Sequence, residues 1–189
     1  MSVYAIPVQA FDEHVCFSVT SEDGAELLVM PPGCTDYPTR FDGFMYLPWE
    51  AEAIICAPIT PKTLIPEALA GGFPQNPVLI SSQLCGGRLE ERLQDALEIY
   101  GDRVFFLIDP MRHLVPLPCP NAEPVHISIE QSENIRDRSP SFFSDAFCCQ
   151  YCVDTDAKGV HLFDTDTTIE KKLHIAQALG IENILILPT

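Results

Sequence analysis

Short apolar runs alternate with proline- and glycine-marked breaks along the whole chain, and their spacing changes from one end to the other. In the first third, 3–8, 15–19, 26–30, 43–47 and 53–56 are brief apolar or alternating runs. Ser21-Glu22-Asp23-Gly24, Pro31-Pro32-Gly33 and Pro48 separate them. Runs of that length between turn formers predict strands. From residue 53 the rhythm becomes strand–helix alternation. Residues 62–70, ended by Gly71-Gly72, predict a helix, and 77–81 a strand. Leu89, Leu93, Ala96, Leu97 and Tyr100 share one face of a helix over 88–100, and 104–108 is a wholly apolar strand. Strands follow at 113–117 and 125–129, then a polar stretch, 131–140, with room for one helical turn. Residues 142–153 and 160–163 read as a hairpin around Asp154-Thr155-Asp156-Ala157-Lys158-Gly159.

Residues 159–188 carry the fullest local signal. Thr167 and Glu170 have the S/T-x-x-E spacing of a capping box, and Gly180 stands where a helix stops in a left-handed turn. Ile169, Leu173, Ala176 and Gly180 repeat at helical spacing, and 184–187 is all apolar. The pattern predicts a helix over 168–179 that crosses between parallel strands at 160–163 and 184–187. The expected architecture is α/β, a single domain over 1–189 with a mixed or partly parallel sheet. It is β-rich over 1–57 and α/β over 58–189.

At 189 residues the chain can bury a substantial core, yet it is short of the about 250 residues typical of an eight-unit (β/α) barrel. Acidic residues outnumber basic ones 27 to 11, a formal charge of −16. That field repels a polyphosphate backbone or an anionic bilayer, so neither nucleic acid nor a membrane is an expected partner. With Met1 as the natural start, no basic leader and no apolar stretch of membrane-spanning length is seen, and a cytoplasmic location is expected. In that compartment the eight cysteines read as reduced, buried thiols.

Cys149 and Cys152 have C-x-x-C spacing, but on a strand positions three apart face opposite ways. Cys148 and Cys152 would share one face with Gln150, and Cys149 the other with Tyr151. No second ligand pair completes a site, so no metal and no cofactor is expected. Ser81-Ser82-Gln83-Leu84-Cys85-Gly86-Gly87 joins a strand to a helix, but Glu90 and Glu91 fill the first helical turn where an anion would dock. A tight turn is the better reading. Histidines 14, 113, 126, 161 and 174 are scattered. His126 and His161 are placed on strand faces opposite to their apolar neighbours, and His174 in solvent.

Carboxylates remain. Phe163-Asp164-Thr165-Asp166 ends a strand before the last helix, where parallel α/β folds gather ligand groups. Asp164 is the catalytic candidate there, while Asp166 supports the helix start. Tyr46, Trp49 and Glu50 end another strand. Aromatic faces beside an acid suit sugar rings, so Tyr46, Trp49, Phe163 and Asp166 are the ligand-binding candidates, and Glu50 is a second acid.

Residues 112–189 resemble the C-terminal part of glycoside hydrolase family 18, the chitinase-like barrels, in their spore-germination branch. Leu114-Val115-Pro116-Leu117-Pro118-Cys119-Pro120 is similar to a proline segment of that family, and Ser139-Pro140-Ser141-Phe142-Phe143 to a lead-in strand. Asp156-Ala157-Lys158-Gly159 is similar to its D-x-x-G turn. The stretch from His161 to Ile169, with Lys172, resembles its last strand and helix start and puts Asp164 at the family's Glu position. Gly180-Ile181-Glu182-Asn183-Ile184 is similar to the closing strand. The resemblance implies a shortened or incomplete (β/α) barrel-like domain. The family's D-x-x-D-x-D-x-E and its closing tryptophan are absent, so proton donor and sugar floor are both missing. The expectation is a catalytically degenerate glycoside-hydrolase-like protein with a binding or interaction role and a glycan or protein partner. Two alternatives stand beside it: a small hydrolase with a rebuilt carboxylate site, and an acidic protein–protein interaction module.

Overall fold

The structure, a computed structural model, describes residues 1–7, 16–30, 41–46, 59–84, 86–118, 123–156 and 158–188. The first strands are β1 (Ser2–Ala5), β2 (Phe17–Thr20), β3 (Glu26–Val29), β4 (Phe44–Tyr46) and β5 (Ile65–Pro66). β6 (Val78–Ser81), helix α1 (Leu89–Tyr100) and β7 (Val104–Ile108) follow. Next come β8 (Arg112–Pro116), β9 (Val125–His126), α2 (Ile129–Arg138), β10 (Phe142–Ser144), β11 (Cys149–Asp154) and β12 (Gly159–Phe163). The chain closes with α3 (Asp166–Ala178) and β13 (Asn183–Ile186).

A five-stranded sheet in the order β1-β13-β7-β6-β5 is parallel throughout. Its middle strand is buried at every position, as expected for a parallel strand covered on both faces. Val104, Phe106 and Ile108 face α1 and α3, packing with Leu89, Leu93, Ala96 and Ala176. Phe105 and Leu107 face the other way and pack with Tyr4, Leu79 and Leu185. Leu27, Val29, Tyr46 and Leu64 belong to that same second cluster, although β2-β3-β4 pair as a separate three-stranded sheet. A parallel bridge between Met45 and Thr63 ties that sheet to the residues just before β5. It is closed by Met45 N–H donating to Lys62 O (3.0 Å) and Leu64 N–H to Met45 O (2.8 Å).

Between β7 and α3 the chain makes a long excursion into an antiparallel sheet, β10-β11-β12-β8-β9. Its two ends meet at one neck, where Asp164 N–H donates to Met111 O (2.9 Å) and Met111 N–H to Asp164 Oδ2 (2.8 Å). Helix α2 covers one face over Ile127, Ile135, Cys152 and Phe163. Met111, Cys149 and Leu162 form the opposite cluster. Gly159 begins β12 where it must be glycine: a Cβ there would meet Leu114 Cδ1 at 2.9 Å and Val115 O at 3.0 Å.

Several expectations are corrected. The strands at 160–163 and 184–187 are not a parallel pair, because β12 joins the antiparallel sheet and β13 the parallel one. Thr165, not Thr167, caps α3, in a capping box with Thr168 rather than Glu170, so the helix starts two residues earlier. Gly180 does stop it at φ +75°. The expected helix at 62–70 is instead β5 followed by a 3-10 turn, Glu67–Gly72. Ile65 donates to Pro77 O, and Pro66 has no N–H for a helical bond. The strand expected at 125–129 stops at His126, and the polar stretch after it folds as α2, started by a Ser128–Gln131 capping box. The strand expected over 142–153 is broken by a turn in which Cys148 adopts φ +51°. Cys148 therefore leaves the β11 faces and packs in the core of the parallel sheet. The strand expected at 53–56 lies outside the described residues. Among the described residues, no helix is long and apolar enough to cross a membrane.

Candidate functional site

All five strands of the parallel sheet run the same way, so their carboxyl ends form one rim. β7 arrives there as five apolar residues and then releases Asp109-Pro110. Ser82, just past the neighbouring β6 and fully buried, clamps the backbone of Asp109. Its Oγ accepts from Asp109 N–H (3.1 Å) and donates to Asp109 O (3.3 Å). Burial pushes the Asp109 carboxyl above the ordinary range, while a hydrogen bond from Gln83 and the charges of Lys172 and His126 oppose the rise. Tyr46, at the end of β4, is 2% exposed, and its hydroxyl is raised by burial and then by Asp109. A carboxyl held toward its neutral form beside an amide and a phenol can donate as well as accept hydrogen bonds.

Asp164 has a different place. Its side chain and that of Lys172 are both fully buried, with Nζ 2.6 Å from Oδ2. Oδ2 also accepts from Met111 N–H (2.8 Å), and Oδ1 accepts from the Thr168 hydroxyl (2.8 Å). The carboxylate is thus used to close the neck and fasten the first turn of α3. Lys172 is buried because the inward face of α3 is Thr168, Lys172 and Ala176, one position off the Ile169–Leu173 stripe.

Tyr46 and Phe163, expected on a ligand floor, are core residues: Phe163 is 2% exposed, stacked 5.0 Å from the His161 ring. Asp166 is exposed at the first position of α3, where it complements the helix dipole. Trp49, Glu50, Cys85 and His14 lie outside the described residues. Cys149 and Cys152 do pack on opposite faces of β11, and burial raises both thiols, Cys149 to about 12. Among the described residues, no three His, Cys, Asp or Glu side chains are placed to share a metal ion.

His161 departs from its expected orientation. It shares the Phe163 face of β12 and is completely buried. Its Nδ1–H donates to His113 O (3.2 Å), so Nε2 accepts from the Ser132 hydroxyl (2.8 Å). The neutral ring fits these partners, and burial favours it by lowering the pKa, as it does for His113. The unfolded state therefore binds the proton more readily. Stability from the neutral ring is fully present above about pH 6.5 and is lost as pH falls below it. Asp109 has the opposite sign, since its raised pKa favours the folded state at low pH. Thermal denaturation between pH 7 and 5 should show falling stability, with a shallower slope in His161→Gln. An unchanged slope in that variant would remove His161 as the cause.

Sequence reasoning missed Asp109 and Ser132, and it placed Lys172 only as part of the resemblance at the last helix start, not as the partner of Asp164. The signal for Asp109 was present: an acid directly after a wholly apolar strand is an acid at a strand's carboxyl end.

No protein-family profile matches the sequence, and no curated protein matches it. Solved structures do match it, and two of them are spore proteins. One is a candidate sporulation-specific glycosylase of Bacillus subtilis, YdhD, at 10% identity and a TM-score of 0.46, covering 76% of this chain and 53% of that one. Another is the spore cortex-lytic enzyme SleL of Bacillus cereus, at 11% identity and a TM-score of 0.46, covering 75% and 44%. This chain thus spans only 53% and 44% of those proteins. A likeness at this level carries no functional information about this chain.

Proposed function

We propose that this chain is a glycoside-hydrolase-like protein that binds a ligand at the carboxyl-end rim without cleaving it. The scaffold in this reading is a shortened barrel. Its interior is the cluster to which β1, β3, β4, β6, β7 and β13 all contribute, and the Met45–Thr63 bridge joins the two sheets. α1 and α3 cover the outside of the parallel part. The observation that carries the proposal is the fate of Asp164. The acid that the resemblance puts at the family's Glu position is locked to Lys172, Met111 and Thr168, with no exposed side-chain surface. Glycoside hydrolysis needs a proton donor at the scissile oxygen; the D-x-x-D-x-D-x-E that supplies it in the family is absent, and Asp164, the other acid the sequence offered, is fully buried and ion-paired and cannot take its place. Asp109 and Gln83 remain as hydrogen-bonding groups suited to a hydroxyl-rich ligand. The charge of −16 supports an uncharged glycan or a basic protein surface over nucleic acid or an anionic membrane. A cytoplasmic, single-domain protein is the setting.

One observation favours a second reading. Burial holds Asp109 toward the protonated form, as a general acid requires, so a rebuilt hydrolase site would use Asp109. Calorimetric titration with chitooligosaccharides and muropeptides, with product analysis of the same mixtures, separates the readings. The expected result is binding without products, weakened about fivefold in Asp109→Asn by loss of roughly 1 kcal/mol of hydrogen bonding. Cleavage that disappears in Asp109→Asn would establish the hydrolase instead. Absence of binding to every glycan would leave the interaction module.

A further inference from the structure

We infer that the cavity between the neck of the antiparallel sheet and α2 is a binding site for a small carboxylate, held by Arg112 and Arg136. The cavity, of about 180 Å³, is lined by Pro110, Met111, Arg112, Ser132, Arg136 and Asp164, with Ile129 and Glu133 on the α2 side. It has two of the chain's 11 basic residues in one small space.

Arg112 opens β8, immediately past the neck, and its Nε is buried with no hydrogen-bond partner among the described residues. A buried donor on a permanently charged group is costly to leave unpaired, by about 1–3 kcal/mol or more. No neighbouring acceptor among the described residues is placed to take it: the Ser132 hydroxyl is turned to His161, and the Asp164 oxygens to Lys172, Met111 and Thr168.

Arg136 supplies the second cation from the facing helix. Its guanidinium lies 4.7 Å over the Phe163 ring, which holds the plane by one face and leaves the edges for hydrogen bonds. Neither arginine has an ion pair among the described residues. A guanidinium edge presents two parallel N–H groups that match the two oxygens of a carboxylate. Nearby charge selects a monoanion. The Asp164 charge is cancelled by Lys172, but exposed Glu133 remains at the cavity and repels a dianion. With about 30 Å³ per water in the liquid, the volume has room for about six waters, enough for a small carboxylate such as acetate or lactate. The cavity adjoins the rim through Pro110, but its test does not depend on glycan binding.

The test is the NMR signal of the Arg112 Nε–H in the ¹⁵N-labelled full chain, assigned by its loss in Arg112→Lys. Sodium acetate and sodium lactate are titrated at constant pH and ionic strength, with sodium chloride and sodium phosphate as separate arms. The expected result is a saturable shift with acetate and lactate, absent with chloride, and an affinity about tenfold weaker in Arg136→Gln. Arg136 is exposed, so that variant tests the site even if the Arg112 substitution impairs folding. No saturable movement, an equal response to chloride, or an unchanged affinity in Arg136→Gln would overturn the site. Tighter binding of phosphate than of acetate would overturn the carboxylate assignment.

Discussion

Lys172→Met should be the most damaging single substitution on the inward face of α3, lowering the free energy of unfolding by about 3–5 kcal/mol. The cost comes from Asp164 rather than from lost packing. Methionine fills much of the same volume, but it strands a carboxylate with no exposed surface and takes away the ammonium 2.6 Å from it. Met111 N–H and the Thr168 hydroxyl remain as partners, too few to hold a buried negative charge. The double variant Asp164→Asn with Lys172→Met removes the charge as well and should recover most of the loss. Urea denaturation of the two single variants and the double variant forms the cycle that isolates the pair. Equal stability of Lys172→Met and the wild type would mean that water reaches the pair.

Phe105→Ala should cost a comparable amount, about 3–5 kcal/mol, for a different reason. Phe105 is 1% exposed, stacked 5.8 Å from Tyr4 and edge-on to Phe44 at 5.3 Å. Those partners come from β1 and β4, which belong to different sheets. Truncating the ring opens a cavity where the sheets share one interior, and the rigid walls around it cannot collapse fully. Amide exchange gives the sharper readout. Protection in β3 and β4 should fall together with protection in β6 and β7. If β3 and β4 lose protection while β6 and β7 keep theirs, the interior is not shared and the barrel reading fails.

The parts legible in the sequence are those whose pattern is complete within one element. β7 is five apolar residues bounded by Arg103 and Asp109, and α1 carries a clean apolar stripe ended by Gly101. Helix α2 was not legible because only Ser132 and Ile135 are buried along it, so no apolar stripe marks it. Its cap, Ser128 with Gln131, was the available signal. The assembly of the last strand–helix–strand stretch was not legible for another reason. Local pattern shows that β12 and β13 are strands but not which partners they take, and β12 finds β8 and β11 closer in the fold than β13. At the site, Asp164 was correctly placed at a strand end, but its burial depends on Lys172 eight residues on, which reads as an ordinary surface lysine. Asp109 was in plain view.

The neck formed by Met111 and Asp164 makes the antiparallel sheet a graft on the parallel one. Chain enters and leaves that sheet through two residues already hydrogen-bonded to each other, so its size is uncoupled from the strand order beneath it. A lineage could lengthen, replace or discard everything between those two positions and still return to the same starting point for α3. The ion pair that holds the Asp164 carboxylate in place then matters for such exchange, since it fixes the stump on which any insert must be mounted.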